Sequence, residues 1–433
     1  MKFTIIAVHI LCIPLLTRAQ PAGDASPWSF HFQQTVIGQY HFDFRSPYSG
    51  TNSLASHEDA AYSVTSTMFV GCRITDGTQV FFDPELAAGG GLSGATGVAG
   101  ALNGETYRIG DPKPSLAIAR LYVQQDIALS DERTRTEDAA NAVAGTQPLR
   151  RITITAGKYG ITDRFDANSV SHDPRTQFLN WSLMSAGAWD YPADTKGYTI
   201  GATVEYIAPE ISLRAAASMV PYEANQAVFD RNVAHAHSGT IEVEVPHRLF
   251  ERQGVVRLLV FHTTARMGDY AEALRQHGTP DITTTRTYGR AKYGFDLNLE
   301  QPLSAVLSGF VRASWNDGST ETWMFTEIDR SLSIGTALDG AFRSAGLDGA
   351  RAAVVVNGIS NLHRDYLAAG GNGFILGDGA LGYGPEAIAE VQYATRIAEF
   401  FTLSADAQYV LNPGFNRDRG PVGVVALRGH VEM

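Results

Sequence analysis

Polar and apolar residues alternate with a period of two through most of this chain. Near its end, Thr402, Ser404, Asp406 and Gln408 interleave with Phe401, Leu403, Ala405, Ala407 and Tyr409. Across a loop, Arg428, His430 and Glu432 interleave with Val425, Leu427, Gly429, Val431 and Met433. Arg120, Tyr122 and Gln124 oppose Leu121 and Val123; Arg151, Thr153 and Thr155 oppose Ile152, Ile154 and Ala156. Thr199, Thr203 and Glu205 likewise oppose Ile200, Ala202 and Val204, and Thr240, Glu242 and Glu244 oppose Ile241, Val243 and Val245. Successive side chains of a strand point to opposite faces, so each segment predicts a strand with one wet and one greasy face. Residues 63–74 and 78–85 read as a pair across Thr75-Asp76-Gly77, with Gln79, Asp83 and Glu85 on one face of the second. Residues 412–421 are dense in loop formers. Helical period is confined to short pieces such as 270–277. Patterning this pervasive predicts an all-β chain.

The greasy faces need a cover, either a second sheet or lipid. Two features favour lipid. The polar faces carry both signs of charge deep in the segments, as in Arg290, Lys292 and Asp296. Tyr198, Tyr206, Tyr293, Trp315, Tyr393 and Tyr409 recur near strand ends on apolar faces. A charged lumen and two aromatic girdles are what a transmembrane barrel requires, and closure removes sheet edges. The mean hydropathy of −0.10 does not oppose this, because every second strand residue of such a barrel faces water. No internal run reaches the roughly 20 apolar residues of a spanning helix. Segments of about 10 residues predict an antiparallel transmembrane β-barrel of about 16 strands with inward-folded loops. No linker divides residues 20–433, which read as one domain.

Residues 1–19 read as a secretory signal peptide: Lys2, an apolar run over 3–16, and Thr17-Arg18-Ala19 before Gln20. Its removal would make the chain two units more acidic than the −11 of the full sequence, a balance unsuited to nucleic acid. Of the two cysteines, Cys12 leaves with the leader, so no internal disulfide is expected; Cys72 reads as a small buried strand residue.

Residues 157–197 are the least strand-like stretch, interleaving charges, carboxamides and aromatics. In a barrel such a loop either folds inward, narrowing the pore and offering aromatic faces and fixed polar groups to a sugar, or stays outside, held by its own ion pairs. Other signatures carry little. His172-Asp173 and His235-x-His237 find no third metal ligand at sensible spacing. Gly91-Leu92-Ser93-Gly94-Ala95 is not a nucleophile elbow. Gly370-Gly371-Asn372-Gly373 reads as a hairpin turn, His363-Arg364-Asp365 is an isolated tripeptide, and Asn180-Trp181-Ser182 matches an N-glycosylation acceptor only as a short pattern.

Several long strings resemble the carbohydrate-selective outer-membrane porins (the OprB type). They include Phe44-Arg45-Ser46-Pro47-Tyr48-Ser49-Gly50-Thr51-Asn52-Ser53-Leu54 and Gly91-Leu92-Ser93-Gly94-Ala95-Thr96-Gly97. Ser171-His172-Asp173-Pro174-Arg175-Thr176-Gln177-Phe178, Ala188-Trp189-Asp190-Tyr191-Pro192-Ala193-Asp194 and Asn412-Pro413-Gly414-Phe415-Asn416-Arg417-Asp418-Arg419-Gly420-Pro421-Val422 add to these. The resemblance implies a sixteen-stranded barrel in a Gram-negative outer membrane, as a monomer or homotrimer. It also implies passive diffusion of monosaccharides and small oligosaccharides into the periplasm. Met433 departs from the terminal aromatic usual in such barrels, which bears on assembly rather than on fold.

Downhill transport needs no catalytic residue, metal or cofactor, and none is expected. The partners expected are small sugars and outer-membrane lipid. Glu85 and Arg120 are expected to line or narrow the pore from strand parity. Arg45, Arg108, Asp163, Arg164, Arg175 and Trp189 are chosen for their loop chemistry and matching motifs. The competing readings are a general, non-selective porin, an outer-membrane barrel enzyme and a secreted soluble sugar-binding protein. The enzyme would need a nucleophile–histidine pair that no motif supplies.

Overall fold

The computed structural model describes residues 26–109, 112–340 and 348–433. The predicted leader, with Cys12, lies outside them. The strands are β1 (Trp28–His41), β2 (Ala61–Arg73), β3 (Thr78–Gly89), β4 (Ser115–Ala128), β5 (Arg133–Thr136) and β6 (Gly145–Pro148). They continue as β7 (Arg151–Tyr159), β8 (Thr199–Ala208), β9 (Ile211–Ser218), β10 (His237–Leu249), β11 (Arg252–Ala265) and β12 (Arg290–Pro302). The last are β13 (Leu307–Asn316), β14 (Arg330–Asp339), β15 (Asp348–Gly358), β16 (Glu386–Ala398), β17 (Phe401–Leu411) and β18 (Val422–Glu432). All but β5 and β6 form one closed antiparallel barrel of 16 strands; β5 and β6 pair separately. The seam runs antiparallel between β1 and β18, from Gln33 opposite Glu432 to His41 opposite Val424. Beyond it, Met433 exchanges both backbone bonds with Phe32.

The alternation maps onto two environments. Along β17, Ser404, Asp406, Gln408 and Val410 are buried toward the lumen, while Ala405, Ala407, Tyr409 and Leu411 are exposed on the outer face. Aromatic side chains mark both ends of that outer face: Trp28, Phe30 and Phe400 where the turns are short, and Tyr40, Tyr62, Tyr293 and Tyr409 near the longer loops. In barrels of this kind short turns face the periplasm and long loops the exterior. Trp315 stacks on Phe295 with centroids 6.0 Å apart, within the outer girdle.

Tyr198 departs from the girdle reading. It is 2 % exposed and turns inward, its hydroxyl donating to the Glu85 carboxylate at 3.0 Å. The chain enters β8 through Gly197 at φ +91°, a conformation that suits glycine, so the parity of the strand does not extend back to Tyr198. Cys72 is also corrected: Gly71 takes the lumen side and Cys72, half-buried, the outer one.

The lumen holds an apolar core that strand patterning does not announce. Phe178 packs near Phe310, 6.2 Å between centroids, among Val355, Ile388, Val410 and Val424. The wall makes room with small residues, since β14 presents Ser331, Ser333, Gly335 and Ala337 inward. A Cβ on Gly335 would lie 2.5 Å from the Phe310 ring. Gly335→Ala is therefore expected to cost about 1–3 kcal/mol by overpacking, read as a lower unfolding midpoint in detergent.

Among the described residues four short helices punctuate the loops: α1 (Gly104–Ile109), α2 (Trp181–Met184), α3 (Tyr270–Ala273) and α4 (Asn361–Ala368). Asn180 is fully buried as the N-cap of α2, accepting from the Ser182 amide, which removes the glycosylation reading. Gly370 and Gly371 end α4 through amide bonds to the Leu367 and Tyr366 carbonyls. The glycine cluster is thus a helix stop, not a hairpin turn.

Candidate functional site

The loop between β7 and β8, residues 160–198, folds into the barrel. Irregular backbone at membrane depth must be satisfied by protein or enclosed water, and here the wall supplies the partners. Glu390 of β16 accepts from the Leu179 and Asn180 amides at 2.6 and 3.0 Å. Arg312 of β13 donates to the Leu183 and Ser171 carbonyls at 2.8 and 3.0 Å and pairs with Asp166 at 2.8 Å. Arg428 of β18 donates to the Gln177 carbonyl at 2.8 Å. Asp190, within the loop, accepts three successive amides from residues 323–325. The inward course is therefore specified by charged side chains that cap its backbone, with aromatic packing of Trp181, Tyr191 and Phe325 behind them.

Besides β13–β18 the loop docks on β10 and β12, where Glu242 and Glu300 accept the Asp166 and Ser169 amides at 2.7 and 2.6 Å. Arg120 of β4 grips Asp163 with two parallel bonds of 2.7 and 2.6 Å. Its guanidinium lies 3.5 Å from Asp83 and 5.2 Å from the Tyr198 ring. Asp163 is aimed by a short 3-10 turn, its carboxylate accepting from the Gly160 amide at 3.0 Å. Arg164 donates to Gln124 at 2.7 Å and sits 5.8 Å over Tyr122. From there a row of alternating charge runs across the strands. Arg214 bridges Glu205, Glu242 and Glu244 at 3.0, 2.9 and 3.1 Å. Arg257 joins Glu244 to Glu300 at 2.8 and 3.2 Å.

The expected pore residues divide by exposure. The side chains of Arg120, Asp163 and Arg164 are 12, 31 and 21 % exposed and stand together where the loop meets the wall. Glu85 and Arg175 are brought together too, 2.9 Å apart, but both are buried, with Glu105 as a second partner of Arg175. Trp189 is fully buried beside Tyr191. For these three, direct lining is corrected: they hold the loop in place and face no water, because they fill its underside. Arg45 is exposed on the loop after β1, away from this group. The Arg108 side chain lies outside the described residues.

Sequence reasoning did not name Arg214, Arg257, Glu242, Glu244 or Glu300 as site residues. Thr240, Glu242 and Glu244 did carry the alternation signal. The missing step was register, which sets Arg214 opposite both Glu205 and Glu242. Among the described residues no cluster of metal-ligating side chains is found.

The outer loops are fastened to one another through His363 on α4. It is fully buried, 3.1 Å from Asp329 and stacked on Tyr270 at 4.5 Å. Burial alone would lower its pKa, but the Asp329 carboxylate and then Glu327 outweigh it and raise the value to about 9. A histidine raised above its ordinary 6.5 contributes stability fully below that value and loses it as pH rises through about 9. Protection of residues 361–368 in hydrogen exchange, corrected for intrinsic rates, is expected to fall between pH 7 and 10. In His363→Gln that pH dependence should vanish.

The sequence model of the carbohydrate-selective porin family, OprB, matches residues 52–433. No curated protein matches the chain. Among solved structures, the high-pH structure of Pseudomonas putida OprB superposes with a TM-score of 0.67 at 15 % identity, covering 94 % of each chain. The low-pH structure of the same protein gives 0.51 at 12 %, over 94 % of this chain and 93 % of that one. The outer-membrane channel DcaP of Acinetobacter baumannii gives 0.53 at 8 %, over 95 % and 100 %. At these identities the superpositions speak to the fold.

Proposed function

Since the chain belongs to the carbohydrate-selective porin family, and so is an outer-membrane barrel for the passive diffusion of carbohydrates, we propose how its own residues do this. The sugar passes between the start of the inward loop and the charged wall, meeting Arg120, Asp163 and Arg164 and then Arg214 and Glu244, the partly exposed members of the charged row. The carrying observation is the two-bond clasp of Arg120 on Asp163 at the water-facing edge of the loop. A neutral, hydroxyl-rich solute can accept from guanidinium groups and donate to carboxylates in turn, whereas a small ion of either sign meets opposing charges at each step. Each contact exchanges for water and is weak, so the solute leaves again; millimolar binding corresponds to roughly −4 kcal/mol.

Residues 1–19 are a leader removed on export. Residues 20–433 act as one unit. The barrel acts as a monomer or as a homotrimer in which each chain carries its own pore. Arg45 meets solutes at the outer mouth.

The test is liposome swelling with glucose against an amino acid of similar size. Faster entry of glucose supports the reading; equal rates reduce it to a general porin. Arg120→Ala is expected to weaken glucose block of single-channel conductance about tenfold, the equivalent of ~1.4 kcal/mol. Unchanged block would place the sugar path elsewhere.

A further inference from the structure

Most turns at the periplasmic end are two to four residues long, as at 209–210, 250–251 and 399–400. Residues 129–150, between β4 and β7, are far longer. Their base is closed by the Leu129 amide bonding the Arg150 carbonyl at 2.9 Å, and β5 and β6 pair above it. The tip turns into the barrel mouth rather than away from it. Val143 is 1 % exposed. Arg73 of β2 donates to the Val143 and Ala144 carbonyls at 2.8 and 2.6 Å. Asp138 lies 3.6 Å from His31 of β1, and Arg151 of β7 donates to the Pro148 carbonyl at 3.0 Å. The wall is cut back to receive the tip, for a Cβ on Gly71 would come within 2.9 Å of Val143 and 3.1 Å of the Phe81 ring.

What the tip covers has its own chemistry. Phe81 and Asp83 are neighbours on the lumen face of β3, both buried, and Phe81 stacks on Tyr122 at 5.0 Å. The fully buried Asp83 carboxylate has Asn141 of the hairpin tip as its hydrogen-bonding neighbour. Asp83 is also the second neighbour of Arg120, so this pair stands directly beyond the clasp. An aromatic face beside a carboxylate that loses this neighbour when the tip leaves suits one C–H face and one hydroxyl of a pyranose.

The cover is lightly held. Its strands are four residues each, and a two-stranded hairpin has little stability of its own. Val143, Pro148 and a few polar contacts seat it against a barrel closed by continuous hydrogen bonding.

We propose that the 129–150 hairpin is an exit-side gate, which swings from the periplasmic mouth to uncover a sugar subsite at Phe81 and Asp83 and limits the size of solute released. This rests on the sugar path given above.

The test uses the whole barrel in liposomes and bilayers. His31→Cys and Asp138→Cys, combined with Cys72→Ser, would be joined by a short reducible bis-thiosulfonate and compared before and after reductant. Glucose swelling is expected to fall several-fold when cross-linked and to recover on reduction. A second variant, with residues 132–147 replaced by a short glycine-serine turn, is expected to admit larger oligosaccharides than the parent. Equal glucose rates in the cross-linked and reduced channel, with an unchanged size limit in the shortened one, would overturn the gate. Failure of every channel, the parent included, to pass sugar would instead overturn the path on which it rests.

Discussion

Arg312→Ala is expected to give a barrel that conducts more and discriminates less between sugars. Arg312 is 2 % exposed and ties β13 to three points of the inward loop: the Asp166 carboxylate and the Leu183 and Ser171 carbonyls. Its removal leaves Asp166 fully buried, still accepting from the Asn298 side chain and the Ala186 amide at 2.7 Å each, but without its cation. Breaking a buried ion pair from one side costs about 3–5 kcal/mol. A loss of ~4 kcal/mol shifts the docked–undocked balance of the loop roughly a thousandfold. The barrel itself should survive, because the backbone pairing of β13 with β12 and β14 does not involve the side chain. Single-channel conductance should rise, with loss of sugar block, while the folded band on an unheated gel persists. Arg312→Lys should fall between, keeping the charge but not the fork that reaches the carbonyls. An unaltered conductance would mean that the loop is held elsewhere.

Asp190→Ala is the second large effect expected. Its carboxylate, 1 % exposed, accepts from the Trp323, Met324 and Phe325 amides at 2.8, 3.0 and 2.8 Å. Alanine would strand three buried donors, each at about 1–3 kcal/mol. Such a sum exceeds what the aromatic contacts around Phe325 can absorb, since an aromatic pair contributes about 0.5–1.5 kcal/mol beyond its burial. Hydrogen exchange at residues 323–325 should accelerate by several orders of magnitude, and the loop over 160–198 should become sensitive to protease. Asp190→Asn retains one acceptor oxygen and should recover part of the protection. Exchange at those amides no faster than in the parent would show that other groups satisfy them.

Much of this was legible along the chain. Glu85 and Arg120 fall on the lumen face where parity puts them, and the outer faces carry Tyr293, Trp315 and Tyr409 as a girdle should. Tyr198 fell on the wrong side because its direction is set by the turn at Gly197 rather than by the strand that follows. The charged row was half visible: Glu242 and Glu244 alternate plainly with Ile241 and Val243, yet Arg214 in Leu213-Arg214-Ala215 gave no sign of bridging them. The inward loop left both courses open. Its aromatics suit a surface as well as an interior, and the groups that decide, Arg312, Glu390 and Arg428, lie more than a hundred residues further on.

By itself the sequence determined a barrel with a wet inside and an oily outside, and, through its long matching strings, the family. Those properties reside in neighbouring residues, since a period of two is a local fact of the strand. Only the tertiary structure decided which charges meet, which loop enters, and which expected pore residues are buried beneath it. Cross-strand register and loop docking join residues far apart in the chain, and a one-residue slip would exchange every lumen side chain for an outer one.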